Sequence, residues 1–227
     1  MSGADDTGGL RAKVESALEC LARDEFVDAE SMLQEASEAC ERAADDGLLA
    51  LALSGLALAQ KAQGADRDHW VSTFNKAFES HNRQEGTLRA HASVALRLAI
   101  AAAWLGLDDL VIGLLESSAR EFATCEGAEG SAADAEGLLA RELAKRGRAQ
   151  EAVGLAESAT ARRRTVSPDS GALAGDLINL CACYVDAKMF PDAKRAAVEA
   201  IAVARHRFGA QSKFVLGLEE EYADLLR

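Results

Sequence analysis

Residues 173–201 read LAGDLINLCACYVDAKMFPDAKRAAVEAI, and this segment carries the clearest structural signal in the chain. Apolar residues recur at helical spacing before and after Lys188-Met189, which predicts two helices joined by a short turn. Pro191 suits the first turn of the second helix, because its missing N–H would have no partner there. Ser170 is predicted to be the N-cap of the first helix.

The same pattern recurs along the chain with a 41-residue period. Four columns of apolar or small residues keep this period: Ala29, Trp70, Val111, Ala152, Ala193; Ala17, Leu58, Ala99, Ala140, Cys181; Leu33, Phe74, Leu115, Ala156, Ala197; and Ala36, Ala77, Ser118, Ala159, Ala200. Small residues let two helices approach closely where they cross. A single helix pair cannot bury its apolar face, whereas at least three stacked pairs can.

The segment Leu177-Ile178-Asn179-Leu180-Cys181-Ala182-Cys183-Tyr184, followed by Phe190-Pro191-Asp192-Ala193, resembles the L-N-N-L-A-x-x-Y … F-x-E-A pattern of the long tetratricopeptide repeat. This variety occurs in kinesin light chains and related bacterial proteins, and the alanine-rich composition also points to a bacterial source. The usual repeat is shorter, at about 34 residues. Two further helical turns, about seven residues, keep both buried faces in phase. Most of residues 10–227 share the resemblance, although Lys61 and Trp70 depart from it in the second unit.

The resemblance implies an all-α fold, a right-handed α-α superhelix (solenoid) of about five helix pairs plus a C-terminal capping helix. Residues 1–9 are expected to form a flexible N-terminus and residues 10–227 a single repeat domain. The predicted units span 10–46, 47–85, 86–130, 131–170 and 171–210, with the capping helix at 211–227. The predicted helices are 10–23, 26–45, 47–63, 67–82, 86–105, 108–124, 132–146, 149–165, 171–187, 191–208 and 212–226.

Composition and motifs exclude several classes of function. The formal charge of −12 argues against a general nucleic-acid or anionic-membrane binder. The sequence contains no uninterrupted run of about 18 apolar residues, so no membrane-spanning helix is predicted. Five cysteines without framework spacing fit a reducing cytoplasm and the filling of a core. No phosphate-binding, hydrolase or metalloprotease motif is present, so we expect no catalysis, no cofactor and no metal.

In such a stack the first helix of each pair lines the concave surface, so its exposed positions are candidate binding residues. The candidates are Leu96, Arg97, Ile100, Leu138, Arg141, Ile178 and Asn179. By the resemblance, the Asn179 position often hydrogen-bonds a bound peptide backbone, and an arginine can meet a carboxylate. The concave-facing positions of the first helices are largely apolar, and three interpretations of this stay open. The groove binds an apolar segment, the superhelix closes on itself, or the assigned register is wrong by one residue.

The chain is therefore predicted to be a non-catalytic scaffold or adaptor that binds a peptide or protein segment in its concave groove. One alternative is a peptide-responsive regulatory sensor that acts through shape change. Another is a self-assembling homodimer module.

Charge is distributed unevenly. Residues 1–46 hold 13 acidic and 4 basic residues, whereas the rest of the chain holds 24 and 21. The acidic run is either a solvated helix face or a surface that steers a basic partner to the N-terminal end. Arg162-Arg163-Arg164 is expected to lie in a loop between repeats, where it could meet an acidic patch.

Overall fold

A computed structural model describes the backbone of residues 3–227 and the side chains from residue 8 onward. Within these residues the secondary structure is entirely helical, which confirms the predicted all-α class. The helices are α1 (Gly3–Ala22), α2 (Phe26–Ala43), α3 (Asp46–Ala62), α4 (Arg67–Arg83), α5 (Leu88–Leu105), α6 (Asp108–Ala123), α7 (Glu129–Lys145), α8 (Ala149–Val166), α9 (Gly171–Asp186), α10 (Phe190–Phe208), α11 (Lys213–Glu221) and α12 (Ala223–Leu226).

The 41-residue period is visible in where the helices begin. The second helices of the five pairs start one full period apart, at Phe26, Arg67, Asp108, Ala149 and Phe190. The turns before four of these helices place one residue in the left-handed region at the same offset: Asp24, Gly106, Gly147 and Lys188. The chain is therefore a helical repeat with two helices per unit.

The chain separates into two compact units. Unit 1 comprises Met1–Leu114 and unit 2 comprises Leu115–Arg227. In unit 1, α1 packs on α2, α2 on α3 and α3 on α4, while α3 also contacts the first helices α1 and α5. In unit 2, α7 packs on α8, α8 on α9 and α9 on α10, while α7 also contacts α9. The single continuous domain expected for residues 10–227 stays a prediction.

The predicted columns form the core of both units. Three of the four are fully buried, and the second-helix column Leu33, Phe74, Leu115, Ala156 and Ala197 is exposed by 2% at most. In the first-helix column, Ala17, Ala99, Ala140 and Cys181 are buried, whereas Leu58 is only half-buried. Its neighbour Ala57 is fully buried in its place.

A one-residue register slip in α3 explains this exception. The left-handed turn residue after α3 is Gly64, one residue earlier than the 41-residue period requires. One residue in a helix corresponds to a rotation of about 100°. The side chains of α3 therefore face in different directions from those that a uniform period predicts.

Four of the helices begin with a side-chain cap. Asp45, Thr87, Ser170 and Ser212 each accept a hydrogen bond from a backbone N–H three residues later. This confirms the prediction for Ser170, whose Oγ lies 3.1 Å from the amide nitrogen of Leu173. Pro191 lies in the first turn of α10, also as predicted.

Both ends of the chain differ from the expected boundaries. Helix α1 begins at Gly3, earlier than the predicted residue 10. The flexible segment expected at residues 1–9 stays a prediction, and its first two residues lie outside the described part. The predicted C-terminal helix is divided into α11 and α12 at Tyr222, whose side chain is buried and whose backbone dihedrals (φ −94°, ψ 6°) depart from helical values.

The arginine cluster is not in a loop, which corrects the sequence-based expectation. All three residues belong to the last turns of α8, and each pairs with a carboxylate of unit 2. Arg162 pairs with Glu136, and Arg164 pairs with Glu199. Arg163 is buried and pairs with both Asp134 and Asp176. The cluster therefore links α8 to helices α7, α9 and α10.

Helix α5 alone among the described helices is long and apolar enough, by length and composition, to cross a membrane. It packs against α3 and α4, and 44% of its residues are buried inside the protein. The absence of a membrane or nucleic-acid partner stays a prediction.

Both tyrosines lie in unit 2 and resist ionisation. Burial, followed by the hydrogen bond that Tyr184 Oη donates to Glu157 at 2.6 Å, raises the pKa of Tyr184 to about 12. Burial also raises the pKa of Tyr222 above its ordinary value. An unperturbed tyrosine titrates near pH 10.

An alkaline titration tests these environments. At pH 10.5 the native protein is expected to show well under half of its full phenolate absorbance at 295 nm, because neither hydroxyl loses its proton readily. In urea the same protein is expected to titrate near pH 10. The Tyr184→Phe variant isolates Tyr222, and a native midpoint near pH 10 in either protein would contradict the assignment.

Candidate functional site

An apolar groove lies in unit 1 where the C-terminal ends of α1, α3 and α5 come together. It has a volume of about 670 Å³. Helix α1 contributes Leu18 and Leu21, helix α3 contributes Leu58, and helix α5 contributes Ile100 and Trp104. We call this surface the α1/α3/α5 groove. Its lining is chiefly aliphatic and aromatic, which is typical of sites that bind apolar groups.

The register slip in α3 decides which residue of that helix reaches the groove. A uniform period places Leu18, Ala59 and Ile100 in one column. Leu18 and Ile100 do line the groove, but Ala59 is fully buried. Leu58 takes its position, because α3 is displaced by one residue relative to α1 and α5. The groove is therefore more apolar and bulkier at its centre than the column predicts.

Two large apolar side chains of the groove are exposed to solvent. Trp104 is 74% exposed and Ile100 is 41% exposed. Apolar surface in contact with water is unfavourable by about 25 cal/mol per Å². Grouped exposed apolar residues usually mark a binding surface, and tryptophan is enriched among the residues that dominate binding energies.

Lys61 forms part of the rim and explains why the repeat tolerates a charge there. Its Nζ donates a hydrogen bond of 2.9 Å to the backbone carbonyl of Trp104. The same ammonium lies 5.5 Å from the ring centre of Trp70. The cation thus satisfies a carbonyl at the C-terminal end of α5, where the helix dipole favours positive charge.

The other two candidates on α5 lie one turn before Ile100. Leu96 is half-buried, and Arg97 is exposed. Within residues 8–227, the Arg97 side chain has neither an ion-pair nor a hydrogen-bond partner, so its guanidinium is available to solvent. Neither residue lines the groove itself.

The four candidates in unit 2 do not form a comparable groove. Leu138 is half-buried and Arg141 is exposed. Ile178 packs against the buried cluster that includes Leu173 and Leu177. Asn179 Nδ2 donates a hydrogen bond of 2.8 Å to the backbone carbonyl of Gly137, so this amide links α9 to α7. The role of these residues in binding stays a prediction.

Trp104 is the most exposed of the groove residues that the sequence pattern did not identify. It follows Ile100 by four residues, and residues at this spacing lie on the same face of a helix. The spacing from Ile100 alone could therefore have identified Trp104. Leu21 and Phe26 were missed as well, because they flank the turn between α1 and α2 rather than continuing a helical column.

The arrangement of the side chains gives little indication of a metal site or a reactive cysteine. Among residues 8–227, no group of three His, Cys, Asp or Glu side chains is placed to hold a metal ion. The five cysteines are free thiols. Burial raises the pKa of Cys40 and of Cys183 to about 11. These two thiols stay protonated at neutral pH, which suits a packing role.

Solved structures of helical-repeat proteins resemble this chain. A kinesin light chain protein with nearly identical TPR-like repeats from Podosopora anserina has a TM-score of 0.69 and 18% identity, covering 89% of this chain and 97% of its own. BtubC (BKLC) from P. vanneervenii has a TM-score of 0.62 and 17% identity, with coverages of 99% and 86%. YrrB, described as a TPR protein with an unusual peptide-binding site, has a TM-score of 0.55 and 14% identity, with coverages of 96% and 100%.

These similarities show that the chain has the tetratricopeptide-like fold that its sequence predicts. The sequence itself matches no protein-family model, and no curated protein is significantly similar to it. Because the three sequence identities are this low, the structural likeness concerns the fold alone.

Proposed function

We propose that this protein is a non-catalytic interaction scaffold whose α1/α3/α5 groove binds an apolar segment of a protein partner. The observation that carries the proposal is the exposure of Trp104 and Ile100 in a groove of about 670 Å³. The fold supports it, since YrrB, which shares this fold, is described as having a peptide-binding site. A cytoplasmic location is part of the proposal.

A positive charge beside the groove gives the partner segment a preferred chemistry. Arg97 lies one turn from Ile100 on α5, is exposed, and has no side-chain partner within the described residues. A guanidinium presents a planar fork of donors that matches a carboxylate. A segment with a large apolar side chain beside an acidic residue would therefore fill the groove and pair with Arg97.

Peptide selection followed by fluorescence titration tests this function. Peptides enriched from a display library on the wild-type protein are expected to be apolar. Their binding is expected to shift the emission of Trp104 to shorter wavelength, because the indole leaves water. Trp70 is buried and does not line the groove, so a Trp70→Phe variant isolates the Trp104 signal.

Groove variants then separate specific from general binding. Ile100→Asp is expected to weaken the selected peptides at least tenfold, because it places a charge on the apolar lining. Val198→Asp is the matched control, since Val198 is 53% exposed on α10 of unit 2. Equal affinity for wild type, Ile100→Asp and Val198→Asp would refute the groove as the binding site.

Self-assembly is the alternative that a specific observation favours. At the C-terminal end of unit 2, Phe208, Phe214 and Leu216 are each about half exposed, at 47%, 45% and 46%. Phe208 and Phe214 pack edge to face with ring centres 5.4 Å apart. Sedimentation of wild type and Leu216→Asp would reveal a dimer that depends on this end. A concentration-independent monomer would exclude this alternative.

The predicted sensor function would instead require a ligand-dependent change in solution scattering.

A further inference from the structure

A second surface of unit 1 is a notch between the two second helices α2 and α4, with α3 as its floor. Its volume is about 340 Å³. The α2 wall carries Glu30, Glu38 and Glu41, and the opposite α4 wall carries Lys76. The exposed His69 also lies on the α4 wall. We call this surface the α2/α4 notch. Its walls hold three carboxylates against one ammonium group, so it is negatively charged at neutral pH.

The floor of the notch contains a polar group without a partner. Gln60 is only 5% exposed, and its Oε1 accepts no hydrogen bond from the described residues. A buried carbonyl that lacks a donor is unfavourable, so nearly all such groups in proteins are satisfied. Leu53 and Leu56 form the rest of the floor and are also buried. The floor therefore combines an apolar strip with one unsatisfied acceptor.

The carboxylates above this floor are largely unused by the chain itself. The carboxylate of Glu41 has no ion-pair or hydrogen-bond partner among residues 8–227. Glu38 accepts one hydrogen bond from Gln34 Nε2, at the long distance of 3.5 Å. Glu30 accepts a hydrogen bond from Gln63 Nε2. No ion pair joins Lys76 to any of these carboxylates within the described part of the chain.

In the equivalent notch of unit 2, the polar side chains of the lining pair with one another. This notch lies between α8 and α10 over α9 and has a volume of only about 160 Å³. There Tyr184 donates to Glu157, and Arg164 pairs with Glu199 at 2.7 Å. Three 41-residue periods earlier, the sequence has Gln34 instead of Glu157, Glu41 instead of Arg164 and Lys76 instead of Glu199. Glu41 and Lys76 keep opposite charges at these two positions, but no ion pair joins them within the described residues, so the notch of unit 1 is not closed in the same way.

We propose that the α2/α4 notch binds an arginine side chain from a basic segment of a protein partner. A guanidinium has five N–H donors and no acceptor, so it can donate to Gln60 Oε1 and to a glutamate together. Its aliphatic stem would cover Leu53 and Leu56. The α2 wall favours this charge, since the sequence of α2 holds five acidic residues and one basic residue. The site is distinct from the α1/α3/α5 groove and takes a partner of opposite character.

The test uses a fluorescein-labelled heptapeptide of sequence Gly-Ser-Arg-Gly-Arg-Gly-Ser and a matched peptide with citrulline in place of arginine. Citrulline has nearly the same shape but no charge. Wild-type protein is expected to bind the arginine peptide with 1:1 stoichiometry and the citrulline peptide at least tenfold more weakly. In an NMR titration, the side-chain amide of Gln60 is expected to shift. Absence of binding to the arginine peptide would overturn the proposal.

Three variants locate the site. Glu41→Gln and Gln60→Leu are each expected to weaken the arginine peptide at least fivefold. Glu35→Gln, which makes the same charge change at an exposed position of α2 outside the notch, is expected to change affinity less than twofold. If Glu35→Gln and Glu41→Gln weaken binding equally, attraction to the whole acidic face accounts for the affinity and the notch is refuted. Circular dichroism confirms the fold of Gln60→Leu, and Glu41→Gln keeps the test valid if that variant does not fold.

Two further outcomes separate the notch from the groove and from a contact between two copies of the chain. The Ile100→Asp groove variant is expected to bind the arginine peptide like wild type, so failure of the groove leaves this proposal standing. Sedimentation of the protein alone addresses the other occupant. A wild-type dimer that Glu41→Gln dissociates, without binding of the arginine peptide, would assign the notch to a second copy of this chain and overturn the proposal.

Discussion

Replacing Arg163 by methionine is expected to lower the free energy of unfolding by about 3–5 kcal/mol. The guanidinium is 8% exposed, and its Nε lies 2.8 Å from Oδ2 of Asp176, which is itself 14% exposed. It also pairs with Asp134, which is largely exposed. Removing the cation leaves the carboxylate of Asp176 buried without a counter-charge, and this uncompensated burial is the source of the large effect.

Urea unfolding followed by circular dichroism measures this effect, and two further variants show its cause. Arg164→Met removes an ion pair whose side chains are 46% and 42% exposed, so we expect a loss of about 0–1 kcal/mol. The double variant Arg163→Met/Asp176→Leu is expected to recover most of the lost stability, because no buried charge is left unpaired. Equal stability of Arg163→Met and Arg164→Met would contradict the role assigned to the buried charge.

The loss of stability in Arg163→Met is expected to depend on pH in a defined direction. Burial raises the pKa of Asp176 above its ordinary value, even though Arg163 favours the ionised form. A carboxyl whose pKa is higher in the folded state stabilises that state when protonated, and this contribution is lost as pH rises. Without Arg163 the pKa rises further. The stability deficit of Arg163→Met is therefore expected to shrink as pH falls from 7 towards the ordinary titration range of aspartate.

Replacing Phe74 by alanine is expected to destabilise unit 1 by about 3–5 kcal/mol. Phe74 is the largest fully buried side chain of unit 1, and it occupies a column position that alanine fills in both repeats of unit 2 with complete helix pairs. The ring therefore fills space that no neighbouring side chain covers, and its loss leaves a cavity. Both tryptophans lie in unit 1, so urea unfolding followed by tryptophan fluorescence reports on this unit.

Val27→Ala is the control for this prediction, because it lies in the same unit as Phe74. Val27 is 70% exposed near the start of α2, so its truncation creates no cavity and is expected to change the free energy of unfolding by less than about 0.5 kcal/mol. A loss below about 1 kcal/mol in Phe74→Ala would show that the surrounding helices collapse into the space. The repeat would then be less rigid than its columns indicate.

The sequence predicted part of the lining of the α1/α3/α5 groove, but not which residue of α3 reaches it. The period placed Leu18 and Ile100 on one face, and both line the groove. The same period placed Ala59 between them, where the structure has Leu58. A single residue fewer before the Gly64 turn rotates one helix by about 100°, and no composition or column average detects such a change.

The sequence by itself determined the helix pairs, the 41-residue spacing of the second helices, the buried columns and the Ser170 cap. These features depend on local periodicity and on short-range hydrogen bonds, which neighbouring residues specify. Only the tertiary structure decided that Arg163 is buried between two aspartates, that Asn179 bonds to Gly137, and that Trp104 stands exposed beside Leu58. These residues lie 13 to 46 positions apart in the chain, and their relative placement depends on how whole helices pack rather than on any local pattern.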